Sequence, residues 1–138
     1  MTTATRTRPA VSRPAAGLLR ASIVLLTLAT AAIHLTLGGV LFTMNAVGYA
    51  TLAILMVAPG PIGHFRLFIR LALIGFTTAT IGGWLLFGAR FPLAYLDKAI
   101  EVALVAAVAL EVWYLDGGPL GVARRTRSLL TKLLGAAR

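Results

Sequence analysis

The chain has 138 residues, 59% of them hydrophobic, with a mean hydropathy of +0.90 and a formal net charge of +9. That length suits one domain, and the lack of cysteine excludes disulfides, thiolate metal sites, c-type haem attachment and thiol catalysis. In a soluble domain 13 basic against 4 acidic side chains would point to nucleic acid, but here they gather at the chain ends and in one loop, a pattern that suits anionic lipid headgroups and leaves nucleic acid out of the expected partners.

Residues 1–17, rich in Thr, Arg, Pro and Ala, are predicted to form a disordered basic cytoplasmic tail. Two apolar tracts follow, Leu18 to Ala58 and Leu67 to Leu115. A helix of ~20 apolar residues crosses the ~30 Å hydrocarbon layer of a bilayer, so each tract reads as a pair of transmembrane helices. Arg6, Arg8, Arg13 and Arg20 ahead of an apolar run also resemble a secretory signal, with Ala29-Thr30-Ala31 as a loose cleavage site. The run continues far past that point and reads as a retained span at 18–37. Gly38-Gly39 supplies a turn, and span 2 covers 41–58 before Pro59-Gly60-Pro61 stops it. Span 3 is placed at 65–87, ending at Gly88. Arg90-Phe91-Pro92 leads into span 4 at 93–115, with Pro92 suited to the first helical position and Asp116-Gly117-Gly118-Pro119 as the stop.

Residues 119–138 read as a basic amphipathic helix on the inner membrane surface. At 100° per residue Val122, Leu129, Leu130, Leu133, Leu134 and Ala137 share one side, and Arg124, Arg125 and Lys132 lie opposite. With the N-terminus cytoplasmic, that side carries Arg6, Arg8, Arg13, Arg20, Arg66, Arg70, Arg124, Arg125, Arg127, Lys132 and Arg138, and the other carries Arg90 and Lys98. The positive-inside rule then requires an even number of spans. The expected fold is all-α: a transmembrane four-helix bundle (18–118), N-in and C-in, followed by an interfacial helix.

Ionisable side chains at membrane depth usually face protein or a cavity. Asp97, Glu101, Leu104, Val108, Glu111 and Leu115 follow 4-3-4-3-4 spacing and share one stripe of span 4. Arg66, Arg70, Leu73, Thr77, Thr80 and Trp84 form a matching stripe on span 3. Antiparallel packing puts Arg70 and Glu111 at similar depth, as a buried charge pair that serves as a salt bridge or as a gated pair in a transport cycle; snorkelling of Arg70 to headgroups would dissolve it. Gly75, Ala79 and Gly83 place small residues on another face of span 3, suited to close helix contact.

At the opposite end His34, Asn45, Tyr49, Asp97 and Glu101 are expected to converge as a binding site. One imidazole, two carboxylates, an amide and a phenol are suited to binding a divalent cation, relaying protons or hydrogen-bonding the head of a quinone or lipid. They also suit plain interhelical hydrogen bonding, with solvated acids at a helix N-terminus beside Lys98. His64 lies on the cytoplasmic loop, about a membrane thickness from His34, so the two cannot clamp one haem within a chain. No P-loop, dinucleotide glycine pattern, HExxH or nucleophile elbow is present; no catalytic residue, resident metal or cofactor is expected.

Three short features, His34-Leu35 with Gly38-Gly39, Asn45-Ala46-Val47-Gly48-Tyr49, and Asp97-Lys98 with Glu101, together resemble a group of small four-span bacterial membrane proteins of unassigned function, over residues 18–115. The resemblance implies a bacterial membrane protein, expected in the inner membrane, and adds no activity to carry over. The leading expectation is a non-enzymatic accessory or self-associating structural component whose partners are the lipid bilayer, further copies of itself or a larger membrane complex. The rivals are a small oligomeric proton- or cation-coupled transporter or channel using Asp97, Glu101 and His34, and a quinone- or cofactor-binding membrane redox protein.

Overall fold

The computed structural model describes residues 12–136. Arg6 and Arg8 of the expected tail, together with Ala137 and Arg138, lie outside the described residues. So do the side chains of Arg125, Leu129, Leu130, Lys132, Leu133 and Leu134, on which the amphipathic reading of the last helix rests.

Every regular element among the described residues is helical: α1 Arg13–Leu37, α2 Val40–Val57, a 3₁₀ turn Gly60–Phe65, α3 Arg66–Phe87, α4 Pro92–Glu111, a π-helical turn Val112–Asp116, and α5 Gly118–Ala136. α1 starts at Arg13, inside the segment expected to be tail. Proline in its first turn has no N–H to lose there, and Ala15 and Ala16 are strong helix formers, so the helix extends ahead of the apolar run. Gly38 and Gly39, at φ 70° and 84°, join α1 to α2 through backbone that side-chain-bearing residues rarely adopt. Phe91 is extended, as the residue before a proline tends to be, and Pro92 opens α4.

Around the bundle α1 packs on α2 and α4, and α3 packs on the same two helices, closing a four-membered ring. Its apolar centre holds Ile23, Tyr49, Met56, Leu73, Leu104 and Val108, all essentially inaccessible. α2 and α3 approach closely at Gly48, where a Cβ would stand 2.6 Å from Phe76 Cζ; the absent side chain is what lets the Phe76 ring lie edge-on to Tyr49, with centroids 4.9 Å apart.

The distribution of polarity is inverted relative to a water-soluble bundle. Thr27, Thr30, His34, Arg70, Thr77, Asp97, Glu101, Glu111 and Asp116 are buried, whereas Leu25, Leu41, Met44, Ile54, Leu86, Phe87, Val102 and many other large apolar residues are exposed. α1, α2 and the continuous stretch Gly60–Phe87 containing α3 are each long and apolar enough to cross a membrane. α4 differs only in composition, because Asp97, Lys98, Glu101 and Glu111 fall within its 20 residues.

At its C-terminal end α4 does not stop where a simple helix would. The Gly117 N–H donates to Val112 O, an i→i+5 bond, and Gly117 then turns the chain at φ 86°. With five residues spanning close to one turn, Asp116 comes round to the face of Glu111. Asp116 is buried and Leu115 is exposed, the reverse of what an uninterrupted α-helical stripe predicts.

Candidate functional site

Two polar clusters occupy opposite ends of the bundle interior. The first gathers Arg20 from α1, Arg70 from α3, Glu111 from α4 and Asp116 from the π turn. Arg70 Nε and one terminal nitrogen donate to the two oxygens of Glu111 at 3.0 and 3.1 Å, a bidentate fork, and its other terminal nitrogen donates to Asp116 at 2.7 Å. Arg20 Nε adds a bond to Glu111 Oε1 at 3.2 Å. Two guanidinium groups balance two carboxylates, so this cluster is electrically closed and reads as a clamp joining three helices. Sequence spacing brought Arg70 and Glu111 to one depth; it left Arg20 as a headgroup anchor and Asp116 as part of a stop signal.

At the other end lie His34, Tyr49, Asp97 and Glu101, with Thr30, Thr80 and Lys98 as additional members. The Thr30 hydroxyl donates to Asp97 Oδ1 at 2.6 Å. Tyr49 and Thr80 donate to Glu101 Oε1 at 2.7 and 2.9 Å. Lys98 sits between the acids, its Nζ 3.0 Å from Asp97 Oδ2 and 2.5 Å from Glu101 Oε2. Each carboxylate therefore has one oxygen held by hydroxyl groups from neighbouring helices and the other turned to a single shared ammonium.

His34 Nδ1 is 2.9 Å from the Thr30 carbonyl oxygen. A carbonyl only accepts, so this bond places a ring hydrogen on Nδ1. Asp97 Oδ1 lies 3.7 Å from the same Nδ1, close to the ring without a short bond to it. The imidazole is also flanked by the Tyr49 ring at 5.6 Å and the Phe42 ring at 6.0 Å between centroids.

A cavity of about 400 Å³ ends on this cluster. His34, Asn45, Thr80, Asp97 and Lys98 supply its polar lining, and its walls are largely apolar, with Phe42, Phe76, Trp84, Phe87 and Phe91 among them. Asn45 contributes from α2 but hydrogen-bonds no other described residue, so it belongs to the cavity wall rather than to the network. Beside the cavity wall the Arg90 guanidinium lies over the Trp84 ring, 4.1 Å from its centroid, and donates to Leu85 O, while Trp84 Nε1 donates to Ala89 O.

This arrangement bears on each chemistry considered from the sequence. One donor atom from each of His34, Asp97 and Glu101 lies within 4.8 Å of the others, a spacing that a metal ion would have to tighten. The ammonium of Lys98 already covers the facing oxygens of both acids, and a metal would have to displace it. His64 is exposed on the 3₁₀ turn, with Nδ1 bonded to Pro61 O at 3.1 Å, and takes no part in the site. Thr30 and Thr80 had a signal in the sequence, since each shares a helix stripe with a residue singled out there; the inward turn of Lys98 had none.

No protein-family model, no curated protein and no solved structure matches the chain.

Proposed function

We propose that this chain is a non-enzymatic four-span protein of a bacterial inner membrane, with both termini cytoplasmic, and that it binds a small molecule in the cavity at its outer end. The fourth span is supported by the outer face of α4. All of its charged groups are buried or partly buried, and Tyr95, Leu96, Val102 and Leu110 are exposed. Its 20 residues rise ~30 Å, enough for the hydrocarbon layer. Orientation follows from the concentration of arginine at the Arg20, Arg66 and Arg70 end and along α5. Because the chain has no cysteine, single cysteines at Gly63 and Ala89 can report sidedness; a membrane-impermeant thiol reagent should reach the second from outside and the first only after permeabilisation, and labelling of both from one side would end this topology.

The observation that carries the binding role is the cavity floor. His34 is 2% exposed, yet its Nε2 has no hydrogen-bond partner among the described residues and its side chain lines an aromatic-walled space. Small-molecule sites typically combine apolar walls with a few fixed polar groups, and ~300–1,000 Å³ is their usual size. Protein purified in mild detergent should therefore release a discrete small molecule on denaturing extraction, detected by mass spectrometry. Asn45→Leu combined with His34→Leu should lower that retention by about tenfold, the order of one lost polar contact. Equal retention by the folded double variant would remove the site from consideration.

A self-associating role has one observation of its own. Gly75 is exposed on α3 and a Cβ there meets nothing within 4 Å, which leaves room beside that helix for a second copy. A particle mass in detergent equal to a single chain would dispose of it.

A further inference from the structure

We infer that the cavity takes an organic cation, and that the Lys98 ammonium occupies the subsite the ligand's charged group enters. This rests on the ligand-binding reading above and adds the chemistry of the ligand.

Charge balance is the first support. Asp97 and Lys98 line the cavity floor, and the fully buried Glu101 shares the same ammonium with Asp97. The other charged and titratable groups near them on the neighbouring elements are His34, whose Nδ1 donates to Thr30 O, Tyr49, which donates to Glu101, and Arg90, which is held by the Trp84 ring and Leu85 O. At this node two carboxylates share a single ammonium, an arrangement that favours a cation over an anion.

The second support is how the carboxylates are held. Thr30 fixes Asp97 through Oδ1, and Tyr49 with Thr80 fixes Glu101 through Oε1, so neither acid depends on Lys98 for its position. If the ammonium swings away, the two facing oxygens remain aimed at the place it left. Lys98 is the member free to move: its side chain is 11% exposed, against 2% and 0% for the acids, and it ends a flexible four-carbon stem lining the cavity. His34, whose Nε2 has no hydrogen-bond partner among the described residues, lines the same space. The aromatic side chains of Phe42 and Phe76 among the walls suit a ligand with an apolar body, and the volume exceeds what a bare metal ion uses.

The test uses the full chain in detergent and three fixed-charge probes of one shape class: benzyltrimethylammonium, its uncharged carbon isostere neopentylbenzene, and benzylphosphonate as the anion. Equilibrium dialysis of the wild type should show the ammonium binding more tightly than the isostere, with the phosphonate weakest. Lys98→Met, which keeps the stem and removes the competing charge, should tighten the ammonium by about tenfold and leave the isostere unchanged. Preference of the wild type for the isostere or the phosphonate overturns the inference, and this measurement does not depend on the variant folding. An unchanged or weakened ammonium affinity in folded Lys98→Met overturns it as well. If no probe binds to either form, the ligand-binding reading itself falls; if the isostere binds and the ammonium gains nothing, only the cation subsite falls.

Discussion

Glu111→Ala is expected to lower the unfolding free energy by about 3–5 kcal/mol, the cost of breaking a buried ionic group by removing one partner. The size follows from what the substitution leaves behind. Arg70, only 4% exposed, would lose two of its three charge-assisted bonds and keep only Asp116, and Arg20 would lose its single carboxylate contact. The measurement is reversible unfolding in mixed micelles, comparing Glu111→Ala with the double variant Arg70→Met/Glu111→Leu. The double variant should recover much of the loss, since replacing both partners by apolar groups of similar shape removes the uncompensated charge together with the bond. A single-variant loss below about 1 kcal/mol would show that the clamp contributes no more than an exposed ion pair.

Glu101→Leu is expected to cost about 2–4 kcal/mol by the same route at the opposite end, with Glu101→Gln costing less than half of that. Glu101 is fully buried and accepts from Tyr49, Thr80 and Lys98. Leucine fills the space but leaves the two hydroxyls with only each other and the Thr77 carbonyl, and leaves Lys98 with Asp97 alone. Glutamine retains an acceptor for the hydroxyls and loses mainly the charge. The ranking is the sharper test: a glutamine variant as unstable as the leucine variant would mean that charge, rather than hydrogen bonding, dominates this node. Tyr49→Phe should be the mildest of the three, about 1 kcal/mol, because Thr80 still donates to Glu101.

Much of the cluster at either end was legible because helix periodicity is a property of the chain alone. A 4-3-4 spacing puts Asp97, Glu101, Leu104, Val108 and Glu111 on one side of any α-helix, and all five are buried. Gly38-Gly39 and Phe91-Pro92 restrict the backbone locally, so the helix boundaries at those links were readable without tertiary information. The stripe fails at Leu115. A π turn depends on hydrogen bonds chosen by the surrounding packing, and once it forms, the inward position passes from Leu115 to Asp116.

Long cationic side chains were the other blind spot. Arg20 and Lys98 have stems that reach headgroups or a neighbouring helix with similar ease, and sequence position does not say which. In the structure Arg20 reaches across to Glu111, and Lys98 turns back along its own helix between two acids. The cavity was equally invisible, since it is a gap left where aromatic residues of α2, α3 and the α3–α4 link fail to close over His34 and Asp97.

The sequence by itself determined an all-helical chain, the turns at its glycine and proline links, and which residues of each helix share a face, because backbone sterics and a 3.6-residue period act within a few residues. Only the tertiary structure decided which of those faces meet, that Lys98 turns inward between Asp97 and Glu101, and that a π turn recruits Asp116 to Arg70. Those outcomes depend on distances between helices, and no local rule of the chain contains them.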